Sequence, residues 1–256
     1  MDLKILVASH KPYWIPNDDI YLPIQVGSAG KSTIENFQRD DSGENISDRN
    51  SNYSELTGLF WAWKNLDCEY LGLCHYRRYF GFKKYSRDPE KLKQSIFKRD
   101  DFERILQNYD VILPKARNYY IETVRSQYIH AHSERDLLQV ENILREKFPE
   151  YLSAFENVMS RRRVHLWNMF VMKKSLADEY CRWLFDILFE YETWMDQRGL
   201  IDEKFRLYGY ISERLLDVFL YSRELKITES DIVMLERVNW TRKIFSFIGR
   251  KFKSRR

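Results

Sequence analysis

The chain has 256 residues, 44% of them hydrophobic and 16% aromatic, enough to fill one large core or two small ones. Its 42 basic residues face 38 acidic ones for a formal net charge of +4, so a surface that coats nucleic acid throughout is not indicated. The three cysteines, Cys68, Cys74 and Cys181, are odd in number and lack CxxC spacing, which speaks against a zinc ribbon or disulfide framework and for a reducing, cytoplasmic setting.

The N-terminus MDLKILVASHKPYW holds an apolar run too short for a signal-peptide core, and no apolar stretch of about eighteen residues follows, so neither secretion by that route nor a membrane span is expected. Lys4 to Ala8 reads as a first buried strand, with the polar Ser9, His10 and Lys11 at its carboxyl end. Pro12 and Pro16 stop regular structure, and Tyr21 to Val26 reads as a second extended piece before Gly27 and Gly30. The almost wholly polar run from Gln38 to Asn52 reads as a surface loop, a common carrier of binding groups. Tyr53, Leu56, Leu59, Phe60 and Trp63 then keep the spacing of one helix face. A short apolar strand, Tyr70 to Cys74, ends abruptly in His75, Tyr76, Arg77 and Arg78.

The charged stretch Lys83 to Lys98 reads as a solvated loop and helix face, Asp100 and Glu103 as the start of a short helix, and Tyr109 to Pro114 as a strand. Ser133 and Asp136 have capping spacing ahead of a helix from about Glu134 to Lys147, and a second helix spans Tyr151 to Arg161. Leu166 to Met172 is apolar and extended. It precedes a helix introduced by Ser175, whose Leu176, Tyr180, Trp183, Leu184, Ile187, Leu188, Tyr191 and Trp194 keep helical spacing. Tyr208 and Gly209 lead into a helix carrying Glu213, Leu215, Leu216, Phe219 and Leu220, and Leu225 to Thr228 reads as a late edge strand. Alternating strands and helices predict an α/β domain over residues 1–236 with a mostly parallel sheet flanked by helices. Residues 237–256 form a basic tail: from Trp240 to Arg256 there are seven Lys or Arg and no acid, interleaved with Phe245, Phe247, Ile248 and Phe252.

There is no phosphate-binding Gly-Lys-Ser/Thr loop, no GxGxxG and no GxSxG, so nucleotide hydrolysis, dinucleotide redox chemistry and serine hydrolysis lose their main support. His130 and His132 would share one face of a strand. Without a third ligand at a defined spacing, partly exposed polar histidines are the stronger reading than zinc. The cluster from His75 to Arg78 says more, because ligands sit outside the carboxyl ends of strands in open α/β sheets and adjacent arginines suit an anionic diphosphate. For one of the two arginines a structural ion pair is an equal alternative. Asn45, Asn50, Tyr53 and Glu55 offer groups suited to a ribose, a base or a sugar hydroxyl, with helix capping as the competing role of Asn50 and Glu55. Glu213 would deprotonate an acceptor hydroxyl if it faced the site, although by spacing alone complementing a helix N-terminus is the stronger reading. His165 and Asn168, at the start of a strand, are acceptor candidates against a default core or loop role.

Taken together, ASHKPYWIP, GENISDRNSNYSELTGLFWAWKN, YLGLCHYRRYF, HLWNMFVMKK and YGYISERL resemble a bacterial family of capsular and exopolysaccharide biosynthesis glycosyltransferases long catalogued only as a domain of unknown function. The resemblance spans Lys4 to about Glu236 and is most specific in its central block. It implies a GT-A-like, Rossmann-like fold and transfer of a hexose from a UDP-sugar to a lipid-linked or growing surface polysaccharide. The expected transfer is inverting, and some relatives look like galactofuranosyltransferases. It also implies that Ser9, His10 and Lys11 lie near the nucleotide, that Asn45, Asn50 and Tyr53 complete the donor pocket with His75, Tyr76, Arg77 and Arg78, and that Glu213 is the general base. GT-A enzymes usually hold Mn²⁺ or Mg²⁺ on an Asp-x-Asp motif. The corresponding strand end here has no acid, so no cofactor is firmly implied, dependence on either metal stays open, and cationic side chains are expected to replace some or all of the metal's charge. The tail from Trp240 to Arg256 is expected to lie on the anionic inner face of a membrane, and nucleic acid is not an expected partner. The rival class is a non-catalytic glycan- or nucleic-acid-binding protein using the tail.

Overall fold

The computed structural model describes residues 1–236 other than 85, 87, 201, 202 and 204, so the predicted tail at 237–256 lies outside the described residues. The sheet begins with β1 (Leu3–Ser9), β2 (Tyr21–Gln25) and the short β3 (Gln38–Arg39). Helix α1 (Asn50–Tyr53) and helix α2 (Leu56–Asn65) then lead to β4 (Tyr70–His75). The strands β3, β2, β1 and β4 run parallel in that spatial order, with Ala8 of β1 beside His75 of β4.

The expected mostly parallel sheet is mixed. A two-residue turn, Tyr76 and Arg77, sends β5 (Arg78–Gly81) back antiparallel, as so short a connection must. After α3 (Pro89–Lys93), α4 (Arg99–Leu106), β6 (Val111–Pro114), β7 (Arg117–Asn118), α5 (Val124–Ala131), α6 (Glu134–Lys147), α7 (Leu152–Ser160) and β8 (Arg163–Val164), strand β9 (Phe170–Lys173) inserts antiparallel between β4 and β6. Helices α8 (Lys174–Asp196) and α9 (Leu207–Tyr221) follow, and β10 (Ile227–Met234) closes the order, parallel to β6 and antiparallel to β5. The predicted late edge strand is therefore longer and interior. Its letters ITESDIVM read as mostly polar because only Ser230 and Val233 are buried.

Alternation along the strands divides the core into two layers, as both faces of the sheet are covered. Leu6, Ala8, Leu71 and Leu73 face the cluster built by α2 and α5 to α9, while Leu3, Ile5, Val7 and Cys74 face the cluster that includes Phe97, Phe102 and Leu106. The predicted helix after Tyr53 is broken: Ser54 adopts φ +53° between α1 and α2, and this break sits at the site described next. His130 is helical rather than extended and bonds Glu122 at 2.8 Å, whereas the His132 ring lies 4.4 Å from that of Tyr210, so the pair does not share a metal-facing surface.

Candidate active site

Because β1 and β4 are parallel, their carboxyl ends open on the same side of the sheet. There Ala8, Ser9, His75, Tyr76, Arg77 and Arg78 line a cavity of about 470 Å³, within the range typical of small-molecule sites. The α1–α2 break adds Asn50, Ser51, Ser54 and Glu55, the start of α9 adds Arg206, Tyr210 and Glu213, and Trp167 forms a further wall.

The cavity is electropositive. His10 is held below its ordinary pKa of 6.5 first by burial and then by Lys11, Arg77, Lys31 and Arg206, four cations that converge on it. The two arginines of the β4–β5 turn divide their roles. Arg77 donates to Glu236 at 2.8 Å, an acid that also lies 3.9 Å from Lys11, so the structural ion pair is realised there. Arg78 lies 5.2 Å over the Trp167 ring, and its buried Nε has no hydrogen-bond partner. Among the described residues Arg78 makes no ion pair either, although the charges of Glu55 and Glu213 across the cavity reach it, so its guanidinium faces the cavity without a bonded anion.

Backbone strain concentrates here. Ser54 (φ +53°), Trp167 (φ +74°) and Arg206 (φ +56°) line the cavity, and Asn168 (φ +54°) backs it; for a residue as bulky as Trp167 such a φ is a genuine outlier. The turn is held by specific bonds. The Trp167 N–H donates to Glu213 Oε1 at 2.9 Å, and its carbonyl lies 2.7 Å from His75 Nε2. The Asn168 amide donates to Glu55 Oε1 at 2.7 Å and to the Gly209 carbonyl, and it accepts from the Ser212 hydroxyl at 2.9 Å. Glu213 Oε2 accepts from Arg214 at 2.8 Å. Burial raises the Glu213 carboxyl above its ordinary 4.5, against the pull of Arg214 and with the help of Glu55.

The cavity thus gathers Ser9, His10, Asn50, His75, Tyr76, Arg77, Arg78 and Glu213 of the residues expected from the sequence. Others lie elsewhere. Lys11 sits just outside, over the Tyr76 ring at 5.2 Å. Asn45 closes a local turn on the Gly43 carbonyl and the Ser47 N–H. Tyr53 points into the helical core, where its hydroxyl donates to Glu192 at 3.0 Å. Asn168 is buried behind the cavity instead of meeting an acceptor. His165 lines a separate, more open cleft with Arg161, Arg162, Arg163, Tyr120 and Asp217. Trp167, Arg206 and Tyr210 were not singled out from the sequence, where nothing separates them from other aromatic and basic residues.

A GT-A metal site does not fit these residues. A hard divalent cation takes its ligands from several oxygens, and among the described residues no three His, Cys, Asp or Glu side chains converge to hold a metal ion. The end of β4 presents His75, Arg77 and Arg78 in place of acids.

The family model described as "Domain of unknown function (DUF4422)" matches residues 4–224. The chain belongs to this family. The match covers most of the span over which the sequence carries its family resemblance. This DUF4422 member also aligns over 93% of its length with the apo structure of WbbM, a bifunctional glycosyltransferase, at a TM-score of 0.78 and 26% identity. It spans 46% of the WbbM chain. Comparison with curated proteins gives no match.

Proposed function

We propose that this protein is a glycosyltransferase that moves a hexose, galactose or galactofuranose, from a UDP-sugar to a lipid-linked or growing surface glycan by an inverting single displacement. The observation that carries this reading is Arg78, an unpaired guanidinium at the carboxyl end of a central strand, in a cavity where further cations converge. A nucleoside diphosphate supplies the bonded partner that this guanidinium lacks, and bidentate contact with phosphate oxygens is what a guanidinium favours. The likeness to a bifunctional glycosyltransferase supports the reaction class. In the proposed reaction the acceptor oxygen attacks the anomeric carbon and the diphosphate leaves with the bonding electron pair. Arg78 and the charges around it stabilise that leaving group in place of a metal. A carboxylate at the cavity takes the acceptor proton; Glu213, the base expected from the sequence, and Glu55 are the two that line it.

The test is a thermal-shift panel of nucleotide sugars read alongside release of the nucleoside diphosphate. One donor should stabilise the wild type, by about 2.7 kcal/mol at a hundredfold excess over Kd, and Arg78→Met should abolish the shift. Release should proceed unchanged in EDTA; loss of activity restored by Mn²⁺ would return the charge role to a metal. No shift and no release with any donor would overturn the reading.

A further inference from the structure

We propose, resting on the transferase reading above, that Glu55 is the catalytic base and that Glu213 is a positioning residue. The two carboxylates differ in what their oxygens already do. Each oxygen of Glu213 accepts a bond, Oε1 from the Trp167 N–H and Oε2 from Arg214, and its side chain is only 16% exposed. Glu55 Oε1 is fixed by the buried Asn168 amide at 2.7 Å, while its second oxygen accepts no hydrogen bond among the described residues. Nor is Glu55 occupied as a helix cap: it stands at the N-cap of α2, yet its side chain makes no capping bond.

The surroundings of Glu55 are built for one orientation. Asn168, which grips it, sits in the left-handed region at φ +54° and is itself held by Ser212 and Gly209. Trp167 at φ +74° and Ser54 at φ +53° flank the same point. Strain of this kind costs of order 1–3 kcal/mol per residue, and here it converges on one half-free carboxylate. Glu55 and Arg78 line the same cavity and feel each other's charge without forming an ion pair. Base and leaving-group cation are then separate groups, as a single displacement requires. Glu55 Oε2 removes the proton from the acceptor hydroxyl as its oxygen bonds the anomeric carbon. The bond from that carbon to the diphosphate oxygen breaks, and the electron pair leaves on the diphosphate facing Arg78. The products are the glycoside, the nucleoside diphosphate and protonated Glu55.

Glu55→Gln keeps the amide oxygen that accepts from Asn168 and removes the base. With the nucleotide sugar that stabilises the wild type most, it should show an unchanged thermal shift, at least about a hundredfold slower release of the diphosphate, and loss of the acid limb of the pH–rate profile. Glu213→Gln should retain that limb. Release by Glu55→Gln within about fivefold of wild type, or loss of the limb in Glu213→Gln alone, would overturn the assignment. Should Glu55→Gln fail to fold, Glu55→Asp decides: a fall in kcat at unchanged donor KM fits a base, whereas a raised KM at unchanged kcat makes Glu55 a binding group only. Wild type that releases no diphosphate from any donor overturns the transferase reading itself, and this assignment with it.

Discussion

His165 shows how one side chain ties the cavity wall to the rest of the molecule. Its backbone N–H donates to Asp217 of α9 at 3.0 Å, its Nδ1 lies 2.5 Å from the same carboxylate, and its Nε2 lies 3.1 Å from Glu229 of β10. Arg163 also approaches Glu229, at 3.8 Å. Burial is the largest single influence on the imidazole and opposes its charge, but Asp217 and then Glu229 together outweigh it and raise the His165 pKa above 6.5. The sign of the linkage follows: a raised folded-state pKa gives stability that is fully present below the unfolded value and is lost as pH rises through the folded one. The melting temperature of His165→Asn should therefore fall short of wild type by most at about pH 6, and the gap should narrow toward about pH 9. A gap that widens with pH would mean that the imidazole is neutral in the fold. From the sequence His165 is an acceptor candidate against a default core or loop role, and the two carboxylates that fix its position lie 52 and 64 residues away in the chain.

At the scale of elements, the loops that bring Asn50 to the cavity are gathered by one buried acid. Asp40 is fully buried and accepts from the Gly27 and Ser28 N–H groups at 2.7 and 2.9 Å and from the hydroxyls of Ser28, Ser47 and Thr57. The end of β2, the loop before α1 and the first turn of α2 thus share a single anchor. Gly27 is required beside it, since its φ is +61° and a Cβ there would come within 2.4 Å of Asn50. Asp40→Asn turns one acceptor into a donor facing donors and should cost about 2–4 kcal/mol, read as a lower denaturation midpoint at unchanged m-value. A cost under about 0.5 kcal/mol would mean that the loops are held without it. Elements whose periodicity serves packing were legible from sequence: β1, β4, α6 and α8 lie within a residue or two of where spacing puts them. The stretch from Gln38 to Asn52 read as an exposed loop because a buried carboxylate with five donors is written with the same letters as a solvated one. The break at Ser54 and the turn at Trp167 were equally hidden, since a local side-chain bond from Asn50 holds the first and tertiary bonds from Glu213 and His75 hold the second.

For the whole molecule, charge is divided unevenly along the chain. The formal +4 contains seven positive charges from Trp240 onward, so the preceding residues carry a formal −3. The tail is therefore the segment of this chain with the largest excess of positive charge, beside the local positive field of the cavity and the Arg161 to Arg163 cluster. Among the described residues no helix is long and apolar enough to cross a membrane. A basic segment with interleaved aromatic residues has the composition that binds an anionic bilayer surface, each Lys or Arg near the headgroups adding about 1 kcal/mol. A lipid-linked acceptor would make such binding useful to the proposed transfer, by raising the protein's concentration where the acceptor resides. Removing residues 240–256 should abolish co-sedimentation with phosphatidylserine-containing vesicles at low salt and leave the thermal shift by the nucleotide sugar unchanged. Binding by the full chain should weaken as salt rises, because the Debye length contracts from about 10 Å at 0.1 M to about 3 Å at 1 M. Equal vesicle binding with and without the tail would assign it no membrane role, and loss of the nucleotide-sugar shift on truncation would place it in the donor site instead.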